Sequence, residues 1–165
     1  MKSPFNKSQK IVLAIIIFGI LARLIPHPPN FSPVTAIALF SGLNFKNKKF
    51  AFLIPILILF ISDLFIGISV INIFVYSGFL LVVQLGSKIS SIRFLNIILA
   101  SLIFFIISNF GVWIIGYPKT MDGLILCYTM AIPFFGYSLA GDLFFGYLFK
   151  FSFAKIESYY MNAEI

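Results

Sequence analysis

Three charges fall within otherwise apolar runs of this chain: Arg23, Asp63 and Asp142. A charge at the centre of a bilayer-spanning helix costs roughly 2.5–3.5 kcal/mol on insertion scales, so each of the three needs a structural or functional reason. Arg23 opens the stretch "RLIPHPPNFSPV", which also gathers the only histidine, His27, together with Asn30 and four prolines. Asn109, in "SNFGVW", is followed one turn later by Trp113, and Tyr128 lies beyond the next turn. Guanidinium and carboxylate groups recognise opposite charge, amides supply hydrogen bonds, and aromatic rings stack on a planar ligand. Small-molecule sites combine a mostly apolar wall with a few placed polar groups of these kinds.

Each residue also has a plainer reading. Arg23 could snorkel to the headgroups, form a structural pair with Asp63 or bind a ligand directly. Asn109 is expected to point into a bundle, where hydrogen bonds between membrane helices contribute about 0.6 kcal/mol. Trp113, Tyr117 and Tyr128 fit an interfacial aromatic belt. His27 has no second histidine or cysteine near it, so an ordinary loop hydrogen bond is expected, with no metal site and no cofactor. The chain lacks a Walker phosphate loop, H-E-x-x-H, G-x-S-x-G and paired thiols; Cys127 is its only cysteine. No catalytic residue is assigned, and the protein is not expected to be an enzyme.

The elements that must hold these residues are membrane helices. Hydrophobic residues make up 61% of the 165 positions and charged ones 10%, against about 45–50% and 25% in soluble domains. Apolar runs bounded by charge or proline predict six spans in a single domain over 1–165: 9–25, 31–45, 50–68, 70–87, 94–116 and 123–149. The fold class is therefore an all-α polytopic bundle.

The net charge of +7 is not gathered into a stripe that would suit nucleic acid. Lys2, Lys7 and Lys10, then Lys46, Lys48 and Lys49, then Lys88 and Arg93, then Lys150 and Lys155 all fall on one side of a six-span chain. Only Arg23 and Lys119 fall on the other. The positive-inside rule places both termini in the cytoplasm. The proline-rich stretch then becomes the first outside loop, with Pro26, Pro28 and Pro29 ending the first helix, Asn30 or Ser32 capping the second and Pro33 in its first turn. "MKSPFNKSQKIVLAIIIFGILA" is expected to be an uncleaved first span. The third and sixth spans share an Ile-Pro to Asp-Leu-Phe-x-Gly pattern, suggesting a duplication of three spans.

"RLIPHPPNFSPVTAIALFSG", "SDLFIG", "SNFGVWIIGYPKTMDGLILCYT" and "IPFFGYSLAGDLFFG" together resemble a bacterial family of small, uncharacterised transport proteins related to the substrate-binding S components of energy-coupling factor (ECF) vitamin transporters. The resemblance covers nearly the whole chain. It implies six helices in the bacterial inner membrane, a vitamin-like micronutrient held in the outer half, and a scaffold subunit with ATPases as partner. Many S components carry alanines four apart on the first helix for docking that scaffold. Here Ala14 is followed by Phe18, with Gly19 and Ala22 further on, and Gly136 and Ala140 offer a second close-packing face.

These readings converge on a membrane-embedded capture subunit for a small molecule, with Arg23, Asn30, Asp63, Asn109, Trp113 and Tyr128 as substrate-binding residues. A membrane-embedded enzyme acting on a lipid or lipid-linked substrate would instead need Asp63, Asp142 and His27 to converge. A ligand-free scaffold would pair its polar residues among themselves.

Overall fold

In the computed structural model, which describes residues 7–28, 30–45 and 47–162, the chain is all-helical, with no strand among those residues. Six helices follow one another: α1 Lys7–Leu24, α2 Val34–Asn44, α3 Lys48–Ile66, α4 Ile71–Gly86, α5 Phe94–Gly116 and α6 Met121–Asn162. Lys2, Pro29 and Lys46, used in the sequence reading, lie outside the described residues.

Local chemistry sets the helix ends. The last amide bond of α1 runs from Ile25 to the Leu21 carbonyl, and Pro26 has no N–H to continue it. The Asn47 side chain accepts a hydrogen bond from the Lys49 amide at 3.0 Å and caps α3, which stops at Gly67, whose φ of 121° suits glycine. Pro118 follows α5, whose final carbonyl bond is Tyr117 N–H to Trp113. At the start of α2 the structure corrects the expectation. Asn30 takes a left-handed turn with φ of 60°, and neither Asn30 nor Ser32 caps the helix. Pro33 itself is the N-cap residue and α2 begins at Val34. The sixth helix also runs past the expected boundary near 149, because Lys150 ends an apolar run but does not break a helix.

Three helical stretches are long and apolar enough to cross a membrane: α3, α5 and Met121–Phe153 of α6. The surface carries many large apolar side chains, including Phe65, Ile73, Leu95 and Phe144. Exposed apolar side chains in such number mark a surface that meets lipid or another protein.

At the centre stands α2. It is only 11 residues long, yet nine of them are buried, and it packs against all five other helices. Its rise of about 16 Å is far less than the roughly 30 Å hydrocarbon thickness. The tightest crossing is between Gly42 of α2 and Gly86 of α4. A Cβ at Gly42 would lie 3.0 Å from Gly86 Cα and would run into the Val83 carbonyl oxygen. On its other side, α2 meets α3 where Pro55 leaves the Ala51 carbonyl without its helical donor. The Ser41 hydroxyl stands 3.0 Å from that oxygen.

Candidate functional site

One polar cluster is built from four segments. Arg23 at the end of α1 donates from Nη2 to Asp63 Oδ1 at 2.5 Å, and from Nε to Ser62 Oγ at 2.6 Å. The other carboxylate oxygen of Asp63 accepts from Asn72 Nδ2 at 2.7 Å and from the Tyr76 hydroxyl at 2.8 Å. Asn72 is in turn held by the Ser69 amide and hydroxyl, at 3.2 and 3.3 Å. Asp63 is 3% exposed. The carboxylate therefore has a hydrogen-bonded charge partner and two further charge-assisted hydrogen bonds, the arrangement that a buried charge requires. Of the alternatives open for Arg23, the structure shows the ion pair.

Beside this pair opens a cavity of about 350 Å³ lined by Arg23, Asn30, Asp63 and Asn72, with the buried Thr35 and Ser138 hydroxyls on its wall and Phe79 and Phe104 as apolar lining. A second space of about 210 Å³ is lined by Ser108, Asn109, Phe105, Phe134 and Phe135. The two share Asn30, Ile71, Val75, Phe104 and Ser138, so they form adjoining compartments of one cleft. The left-handed turn at Asn30 places it on the wall common to both.

Four of the six expected binding residues thus line the cleft: Arg23, Asn30, Asp63 and Asn109. Trp113 and Tyr128 do not. The indole Nε1 of Trp113 donates to the Pro118 carbonyl at 3.0 Å, and Lys119 donates to the carbonyls of Trp113 and Tyr117, so these groups lock the turn between α5 and α6. Tyr128 donates to the Ile106 carbonyl at 2.8 Å and ties α6 to α5. Asn109 hydrogen-bonds the Phe105 carbonyl of its own helix at 2.8 Å, not a neighbouring helix. Its carbonyl accepts the interhelical contact, from the Cys127 thiol at 3.6 Å.

The remaining residues singled out in the sequence occupy separate places. His27 is exposed, with Nδ1 2.8 Å from the Pro28 carbonyl oxygen. Asp142 is buried beside Ser101 of α5, at 2.7 Å, and shares no partner with Asp63. The matched Ile-Pro to Asp patterns of α3 and α6 therefore end in carboxyls with different surroundings. Ala14 lies on an apolar groove with Phe18 and Phe149, and Ala22 is half-buried. Gly19 is buried, its missing Cβ replaced by Ile58 of α3 and Ile37 of α2, so it serves packing inside the bundle. Gly136 and Ala140 face outwards. Among the described residues no group of three His, Cys, Asp or Glu is placed to hold a metal ion.

Asn72, Tyr76, Thr35, Ser108 and Ser138 are the site residues that the sequence reading missed. Asn72 and Tyr76 stand four apart at the start of an apolar helix, hence on one face. That spacing was a usable signal for a polar face turned inward.

A family described as being of unknown function, DUF6580, matches residues 3–163. No curated protein and no solved structure matches the chain.

Proposed function

The chain belongs to the DUF6580 family, whose function is unknown, and we propose that it is a multi-pass inner-membrane subunit that captures a small polar molecule for uptake. The observation that carries this reading is the open two-compartment cleft, with amides and hydroxyls on an aromatic and aliphatic wall. Sites for small ligands are commonly built in this way.

The charge accounting narrows the ligand. Arg23, the one cation on the wall, is already matched by Asp63, so the cleft offers hydrogen bonds and ring faces without an uncompensated charge. An uncharged, ring-containing molecule fits that wall better than a carboxylate or phosphate. In this reading Asn30 and Asn109 bind its polar edge, Phe104 and Phe105 its ring, and Arg23 and Asp63 brace the cleft. The six helices, the charge pattern and the resemblance to ECF S components all support an outward-facing cleft and a micronutrient as cargo. An intramembrane enzyme is less well supported, since His27, Asp63 and Asp142 have separate partners.

Native mass spectrometry of the full chain, purified in mild detergent from cells grown on rich medium, tests the proposal. The expected result is a reproducible small-molecule adduct that disappears in Asn109→Ala. A bare mass in both proteins removes the capture reading and favours a scaffold subunit.

A further inference from the structure

We propose that Asp142 is a proton-binding site beneath the cleft, reached past Thr35 and Ser138, so that filling of the cleft and exchange of this proton are linked. The carboxyl is 1% exposed, and its Oδ1 has no hydrogen-bond partner within 3.5 Å, although the Thr35 hydroxyl of α2 interacts with the carboxyl. Its Oδ2 lies 2.7 Å from Ser101 Oγ, which also lies 3.0 Å from the Ile97 carbonyl oxygen. A hydroxyl has one proton to donate, whereas a carbonyl and an ionised carboxylate only accept. Ser101 cannot satisfy both. If Asp142 holds its own proton, the chain closes, with Asp142 donating to Ser101 and Ser101 donating to Ile97.

No charge nearby would stabilise the ionised form. The helices packed on α6 here are α2 and α5, neither of which contains Asp, Glu, Lys, Arg or His, and α1, which meets it through Phe18 against Phe145 and whose charges are Lys7, Lys10 and Arg23. Between Asp122 and Lys150, Asp142 is the only charged residue of α6. The Arg23 guanidinium is taken up by Ser62 and Asp63. A buried carboxyl without a cation is neutralised by a proton instead of bearing the cost of an isolated charge.

Access comes from the cleft. Ser138 stands one helical turn before Asp142 on the same face of α6, and the Thr35 side chain approaches the carboxyl from α2. Both residues also line the cleft. Each hydroxyl is donor and acceptor, and so can relay a proton between water in the cleft and the carboxyl. A ligand that occupies those hydroxyls closes this route and traps the proton below it. The step is the binding or release of one proton at an Asp142 oxygen, with no other bond made or broken.

Infrared difference spectroscopy of the full chain in dodecyl maltoside, which has no ester carbonyl, tests this without a ligand. At neutral pH the wild type should show the carbonyl stretch of a protonated carboxylic acid that Asp142→Asn lacks. Ser101→Ala should shift that band upward, because the acid loses its acceptor. This variant keeps the test decisive if Asp142→Asn does not fold. In D2O the band should shift promptly in wild type and slowly in Ser138→Leu. Absence of the acid band at neutral pH overturns the proposal, as does its loss on adding sodium, which would make the carboxylate a cation ligand. Equal exchange in wild type and Ser138→Leu overturns the route through the cleft.

Discussion

Asp63 shows how one side chain can be legible in a sequence while its surroundings are not. A carboxylate and a guanidinium near the ends of two apolar runs had reason to meet. Removing the carboxylate leaves Arg23, which is 18% exposed, charged without its partner, so Asp63→Ala should lower stability by about 1–3 kcal/mol, less than for a wholly buried pair. Combining Arg23→Met with Asp63→Leu should recover most of that loss, since an apolar pair replaces an ionic one. Thermal unfolding in detergent, followed by tryptophan fluorescence, measures both. If the double variant is as unstable as the single one, the pair is holding more than its own charges. The Asn72 and Tyr76 contacts to Asp63 were only half legible: their spacing marks one polar face of α4, but a linear pattern does not say which residue of another helix that face meets. Trp113 was misplaced for a related reason: residues one turn apart on α5 share a face but not a depth, and Trp113 ends on the turn while Asn109 faces the cleft.

Among the elements, α5 has the expected bounds 94–116, and α1, α3, α4 and α6 depart from expectation at their ends, which lysines, prolines and glycines delimit. The exception in character is α2. Its sequence, VTAIALFSGLN, is apolar all round and shows no preferred face, which is the pattern of a wholly buried helix. The contact that seats it was hidden because Gly42 and Gly86 are far apart in sequence and each looks incidental. Gly86→Val should therefore cost about 1–3 kcal/mol through overpacking, seen as a lower melting temperature. Gly136→Ala meets nothing within 4 Å, and should stabilise the helix by about 0.4–1 kcal/mol by restricting the unfolded chain. Equal effects from the two would show that helix propensity, not the α2 to α4 crossing, governs both sites.

For the whole molecule, the proposed orientation has a direct test in the single cysteine. In a Cys127→Ser background, a cysteine at Lys119 should react with a membrane-impermeant maleimide in intact cells, and one at Lys88 only after the membrane is opened. The reverse pattern would invert the bundle and turn the cleft towards the cytoplasm. The two-compartment cleft could not have been read from the sequence, since it is a space left where all six helices and the α1–α2 connection meet, and no residue type encodes it.

The short central helix also bears on how the protein is made. Ribosomes deliver α2 before α4, α5 and α6, which cover much of its surface. It is too short to rest across a bilayer alone, and α1 and α3 leave much of it open. During synthesis α2 must therefore wait for its remaining partners, so that the helix at the heart of the bundle is made before most of what encloses it.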